Sequence, residues 1–315
     1  MTQVTGELTS LCAAVREVVL PFLGLHASRA NTGVAVGGDV TFDIDDKAEE
    51  LLESYMRERL PRWAYYSEDR GLQGAADPEM ILIVDPIDGT RPAAAGLEAA
   101  CVSIAAVPPS AAPTMGDVVA GVVQELKTGD VFVAEKGAGF EMRRASGAAL
   151  PFLPSPSTDL ESIFWTIGFR GRPAVMLATV LAELMDTSSV GGSVFDIGSA
   201  TFSVTRLLTG QLDAYVDIGP AIIDAHPSAE ADFRRVGRGA VLCNSPYDLA
   251  AVYLLLKEAG LPISDADGSS LDRRPVLGSD ASFQMSCVAS GNARLQTALI
   301  DCVQRGIAAY VPGGS

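Results

Sequence analysis

Ile81-Leu82-Ile83-Val84-Asp85-Pro86-Ile87-Asp88-Gly89-Thr90 decides how this chain is read. Four large or branched apolar residues describe a buried β-strand. The strand runs straight into two acids, a proline, a glycine and a threonine. Pro86 fixes its own φ and biases Asp85 towards extended backbone. Gly89 permits angles that a side chain forbids and lets a ligand approach the main chain. A lone Asp-Gly would be ordinary turn chemistry. Two carboxylates three residues apart, delivered by a rigid strand to a constrained corner, are hard oxygen ligands suited to Mg²⁺.

Working outward, the 315 residues allow two domains or one large one. The net charge of −16 argues against nucleic acid or an anionic membrane as partner. An anionic small substrate is still compatible, because bound cations invert the local field. The five cysteines are scattered and show no C-x-x-C pair, which points away from a disulfide framework or zinc site and towards a reducing cytoplasm. No signal peptide pattern opens the chain, and no run reaches the roughly 18 apolar residues of a membrane span. Only His26 and His226 are present, so chemistry built on several histidines is excluded. The G-x-S-x-G and G-x-x-x-x-G-K-[ST] signatures are absent, as is a G-x-G-x-x-G following a strand.

Residues 7–24 carry a helical stripe. Residues 27–39 are small and polar and read as a mobile loop placed to act as a lid. Ala48, Leu51, Leu52, Tyr55, Met56 and Leu60 follow helical spacing. Asp46 with Glu49 fits a capping box, which starts that helix near Asp45 or Asp46. An EF-hand reading from Asp43 fails, since the positions for glycine and glutamate hold Ala48 and Ser54. Trp63–Tyr66 is a short strand ending in Ser67-Glu68-Asp69. Strands at 97–107, 118–125 and 130–135 belong to a largely antiparallel sheet. A Pro/Ser-rich connector at 151–158 separates an N-terminal α+β domain (1–155) from a C-terminal α/β domain (156–315). In the second domain, a strand at 162–167, a helix at 174–185 and a glycine-bearing turn at 191–198 lead to a helix at 199–208. Its N-terminus, Gly198-Ser199-Ala200, offers backbone N–H groups to an anion. A strand at 212–217 ends in Asp217. A helix at 247–259, closed by Gly260, carries Asp248 in its first turn.

Together these pieces resemble the inositol monophosphatase family of Mg²⁺-dependent, lithium-sensitive sugar phosphatases. Asp85-Pro86-Ile87-Asp88-Gly89-Thr90 matches its most specific motif letter for letter. Ser67-Glu68-Asp69 looks like its Gly-Glu-Glu. Gly198-Ser199-Ala200 and Gly210-Gln211-Leu212-Asp213-Ala214-Tyr215 look like its later motifs. Tyr247-Asp248-Leu249-Ala250-Ala251, running to Glu258-Ala259-Gly260, is similar to its Trp-Asp-x-Ala-Ala helix. Ile223-Asp224-Ala225 is the alternative, at nearly the usual distance but without the right helix after it. Choosing Asp248 makes residues 219–245 an insertion, expected near the mouth of the site.

The resemblance implies a layered α-β-α-β-α sandwich, of mixed α+β and α/β character, with the site between its halves. It implies that Glu68, Asp85, the Ile87 carbonyl, Asp88 and Asp248 bind two or three Mg²⁺. Asp45, Glu68 and Thr90 would be catalytic, with Asp45 and Thr90 orienting and helping to deprotonate a metal-activated water. Gly89, Thr90, Gly198, Ser199 and Ala200 would hold phosphate oxygens, and Asp217 would accept substrate hydroxyls. The expected activity is hydrolysis of a small polyol, sugar or inositol phosphate monoester. Fructose bisphosphate and nucleotide 3′-phosphates are alternative substrates, and a catalytically silent phosphate-ester binder is the rival reading. Homodimers are common in the resembled family and are the expected assembly. Arg91-Pro92-Ala93 departs from the usual Thr-Asn-Phe after the motif, and Arg91 reads as pairing with a surface acid or reaching a second anionic group.

Overall fold

The computed structural model describes residues 2–312. Helix α1 (Gln3–Val19) buries the stripe Leu8, Leu11, Cys12, Val15 and Val19. A hairpin of β1 (Asn31–Val34) and β2 (Val40–Phe42) precedes α2 (Asp43–Arg59). Then follow β3 (Ala64–Ser67), β4 (Gly71–Gly74), β5 (Ile81–Asp88), the short α3 (Thr90–Ala95), β6 (Cys101–Val107), β7 (Ala120–Glu125), β8 (Val131–Glu135) and β9 (Gly139–Arg143). These strands make a seven-stranded sheet in the order β4-β3-β5-β6-β7-β8-β9, parallel only between β3 and β5.

The second half contains β10 (Phe164–Ile167), α4 (Ala174–Val180), α5 (Ala182–Thr187), β11 (Ser193–Phe195), α6 (Ala200–Thr209) and β12 (Ala214–Asp217). It continues with α7 (Gly219–Ala225), α8 (Glu230–Val236), α9 (Pro246–Ala259), β13 (Ile263–Ser264), β14 (Cys287–Ser290) and α10 (Ala293–Ala309). Its five-stranded sheet runs β11-β10-β12-β14-β13.

Burial decides the layering. The outer face of the first sheet, with Leu82, Val84, Val102 and Ile104, packs on α1 and α2. Its inner face packs on α6 and α9, whose far sides meet Tyr215, Cys287 and Ala289 of the second sheet. The outer face of the second sheet is covered by α4, α5 and α10. The result is the α-β-α-β-α sandwich. Helix α9 is apolar nearly all round, with every residue from Leu249 to Leu256 buried, because it is enclosed between two sheets. Each such leucine contributes about 1.5–3 kcal/mol of apolar burial.

Several expectations are corrected. The segment 27–39 is not a plain loop: Asn31–Val34 pairs antiparallel with Val40–Phe42. Helix α2 begins at Asp43, earlier than the Asp46–Glu49 box suggested, because Asp45 accepts the Phe42 N–H at 2.9 Å and caps the turn from its third position. The helix expected at 174–185 is two helices meeting at Leu181. The turn at 191–198 contains strand β11, held parallel to β10. Residues 219–245, expected near the mouth of the site, lie mostly in the outer layer: Ile222 and Phe233 pack in the α10 cluster, and the His226 ring bonds the Ile307 carbonyl. Only the end of this segment, at Cys243 and Asn244, borders the region between the sheets.

Gly121 of β7 tests the importance of the α9 contact. A Cβ there would lie 3.0 Å from the Ala251 carbonyl and 3.1 Å from its Cα. Gly121→Val is therefore expected to cost about 1–3 kcal/mol by overpacking. Chemical denaturation should show a lower midpoint, and an unchanged midpoint would mean that α9 is loosely seated.

Candidate active site

Strand β5 delivers the first two carboxylates. Its pairing with β6 shifts register between Asp85 and Asp88, so the chain turns while still joined to the sheet. Asp85 accepts the Ile87 N–H at 2.9 Å, which fixes the corner. Gly89 follows at φ 93°, and a Cβ there would come 2.4 Å from the Ala99 carbonyl, so the corner admits only glycine.

The N-terminus of α6 meets this corner. The Ser199 hydroxyl donates to Asp88 at 2.9 Å, and the Thr201 N–H donates to the same oxygen at 2.5 Å. The helix end thus anchors Asp88 and favours its charge. The Thr201 hydroxyl donates to the Asp248 carbonyl at 2.8 Å, tying α6 to the first turn of α9. Asp248 itself caps α9 by accepting the Ser245 N–H at 2.6 Å.

These anchors bring carboxylate oxygens of Asp85, Asp88 and Asp248 within 4.8 Å of one another. Asp224 is not in that group; it lines a separate hollow with Arg274 and Gln284. The trio borders a cavity of about 450 Å³ that also exposes Glu68, Ile87, Gly89, Thr90 and Gly198. Glu68 enters from the end of β3. Asp45 stands at the N-terminus of α2 beside the Thr90 hydroxyl, which donates to the Ile87 carbonyl at 3.1 Å. Ser199 and Ala200 are buried at the α6 cap, where Ser199 also accepts the Phe202 N–H. Asp217 does not line the cavity. It is fully buried, and the Arg172 guanidinium takes up both of its oxygens.

The electrostatics are those of crowded acids. Burial, then Glu68, Asp88 and Asp248, push Asp85 well above its usual range. Burial and the Asp88 charge raise Asp248 to about 8. Burial, then Asp69 and Asp248, raise Glu68. Burial also raises Asp45, to about 7, against the opposing bond from the Phe42 N–H. The donor set is oxygen alone, mutually repulsive and at least partly buried, and such a set fits hard divalent cations.

Four residues of this region escaped the reading of the sequence. Arg170 and Arg172 follow β10, and both could have been sought at a strand's carboxyl end. Asp196 faces the cavity and carries no side-chain hydrogen bond or ion pair among the described residues. Asp39, at the tip of the β1–β2 hairpin, pairs with both Arg91 and Arg170. No helix among the described residues is long and apolar enough to cross a membrane.

The likeness to known proteins covers the whole arrangement. The chain is 27% identical over 274 residues to an inositol-1-monophosphatase of Mesorhizobium japonicum, covering 86% of this chain and 85% of that one. It is 26% identical over 266 residues to the Nus factor SuhB of Xylella fastidiosa, covering 83% and 80%. In structure it matches the extragenic suppressor protein suhB of Bartonella henselae with a TM-score of 0.71 at 20% identity, covering 97% of this chain and 100% of that one. The model of the inositol monophosphatase family matches residues 1–307, and the chain belongs to that family of phosphatases.

Proposed function

We propose that this protein hydrolyses a phosphate monoester of a small polyol, sugar or inositol with the help of Mg²⁺. The observation that carries this reading is the convergence of Asp85, Asp88 and Asp248 within 4.8 Å at an open cavity. Three carboxylates so close together, two of them buried and Asp248 partly so, are repulsive without a cation, and their chemistry suits Mg²⁺. Glu68, Asp85, the Ile87 carbonyl, Asp88 and Asp248 would hold two or three ions. When bound, the ions lower the pKa of water and neutralise charge developing on the phosphate.

The protein's own groups supply the rest. The Asp45 carboxyl, whose affinity for a proton is raised by burial, would receive the proton of the attacking water through the Thr90 hydroxyl once that hydroxyl turns from the Ile87 carbonyl towards Asp45. Backbone N–H groups at Gly89, Thr90 and the α6 cap orient the phosphate, although the Thr201 N–H is already committed to Asp88. With Asp217 occupied by Arg172, Asp196 is the carboxylate free to accept a substrate hydroxyl. The rival reading, a binder without turnover, draws support from a relative named as a Nus factor. The intact carboxylate set favours turnover. The five free cysteines suit a reducing cytoplasm.

Phosphate release from a panel of sugar, inositol and nucleotide monophosphates tests the activity. Turnover is expected with Mg²⁺, is lost in chelator, and falls about a hundredfold or more in Asp88→Asn. Tight binding of an ester by wild type, with no release from any member of the panel, would favour the silent binder.

The raised carboxyls also set a pH dependence. In chelator the folded protein holds protons that the unfolded chain loses near pH 4, so folding is favoured at low pH. That contribution is lost as pH rises through about 7 for Asp45 and about 8 for Asp248. Melting in chelator should therefore weaken from about pH 5 to pH 8. Asp85→Asn should raise the pH 8 melting temperature by about 2–4 °C, an effect of about 1 kcal/mol. A melting temperature flat across this range, or lowered by Asp85→Asn, would contradict the repulsion.

A further inference from the structure

We propose that the hollow on the outer face of β3 and β4 is a binding site for a small uncharged aromatic molecule that carries a hydroxyl. The hollow shares no lining residue with the carboxylate cavity, and the inference is independent of the phosphatase reading. Strand register builds its floor. Tyr65 pairs with Gln73 across the two strands, and the Ala75 N–H donates to the Trp63 carbonyl at 3.2 Å. Side chains alternate between faces along a strand, so Trp63, Tyr65, Gln73 and Ala75 share one face. That face is the outer one, since Trp63 and Tyr65 join the cluster of α1 and α2, whereas Ala64 and Tyr66 join the inner core. Strand β4 is the edge of its sheet. Glu53, Met56 and Arg57, three or four residues apart on α2, make the side wall. The enclosed volume is about 650 Å³, within the range of small-molecule sites.

The lining specifies the ligand class. Trp63 and Tyr65 bring two aromatic rings to the floor, and the Met56 thioether borders them, a set that holds a planar ring. Tyr65 is 2% exposed, and its hydroxyl has no hydrogen-bond partner among the described residues. A buried hydroxyl left unpaired is costly. Other buried tyrosines are paired: the Tyr66 hydroxyl bonds Ser279 at 2.9 Å, Tyr215 bonds Asn244 at 2.9 Å and Tyr253 bonds Asp272 at 2.7 Å. A hydroxyl on the ligand supplies the partner that Tyr65 lacks. The charges around the hollow exclude a charged occupant. Arg70 pairs with Glu53 and comes within 3.8 Å of the buried Glu49. Arg57 lies 3.9 Å from Glu53 and 3.7 Å from Glu58. Three carboxylates against two guanidinium groups leave no cation over for an anionic ligand. The same two guanidinium groups line the hollow and repel a cationic one.

The test uses 4-bromophenol with the intact chain at neutral pH. The analogue 4-bromotoluene lacks the hydroxyl, and 4-bromobenzoate and 4-bromobenzylamine carry a charge. Calorimetry measures binding, and soaked crystals locate the bromine by its anomalous signal. Bromine density is expected beside Trp63 and Met56. Wild type should bind 4-bromophenol about five- to tenfold more tightly than 4-bromotoluene, and Tyr65→Phe should bind the two equally. Trp63→Ala, checked for folding by circular dichroism, should weaken binding about tenfold or more, and each charged analogue should bind wild type more weakly than 4-bromophenol. Without ligand, Tyr65→Phe should melt no lower than wild type, because its hydroxyl has no partner to lose. A lower melting temperature would mean that the hydroxyl is already bonded within the protein, and would overturn the inference. So would the absence of saturable binding in solution, bromine density from binding at crystal concentration only, bromine located elsewhere, a charged analogue that binds more tightly, or a preference for the phenol that survives in Tyr65→Phe.

Discussion

Mutual repulsion among closely packed carboxylates is the constraint on which the rest of this structure depends. Asp85, Asp88 and Asp248 come from two different halves of the chain and would separate if free to do so. They are held by ordinary main-chain bonds. Asp85 is fixed by the Ile87 N–H, Asp88 by the cap of α6, and Asp248 by its own role as a helix cap. Each acid is therefore satisfied on one side and leaves oxygen directed at the shared cavity. Folding energy from the sandwich, above all the enclosure of α9 between two sheets, maintains an arrangement that electrostatics alone opposes.

The placement also explains the division of labour around the cavity. Helix α6 does two tasks at once, since Ser199 and Thr201 hold Asp88 while the Thr201 hydroxyl registers α9. The first half supplies the corner and the strand end bearing Glu68. The second half supplies Asp248 and the arginine-bearing loop. Arg172 and Arg170 show two uses of the same side chain within three residues, one buried against Asp217 and one facing the cavity.

Much of this was legible in the sequence. The strand running into Asp85-Pro86-Ile87-Asp88-Gly89-Thr90 is local, and its chemistry follows from residue type and spacing. Helices α6 and α9 were legible for the same reason, with Gly210 and Gly260 closing them in left-handed conformation. Asp248 was preferred to Asp224 because of the helix that follows it, and the structure places Asp248 in the cluster. What escaped depends on tertiary context. The pairing of Asp39 with Arg91 and Arg170 joins residues 52 and 131 positions apart. The burial of Asp217 against Arg172 cannot be read from strand alternation. The hairpin at Asn31–Phe42 lacks the apolar alternation that marks a strand, since its residues are mostly exposed on β1.

The most direct measurement is anomalous diffraction from crystals soaked in Mn²⁺, a spectroscopically visible substitute for Mg²⁺ at oxygen sites. The expected result is strong density among Asp85, Asp88 and Asp248, with Glu68 and the Ile87 carbonyl completing the ligand shell. A soaked crystal with no density at these carboxylates, or with the ion bound at Asp224 instead, would contradict the assignment of this cluster as the metal centre.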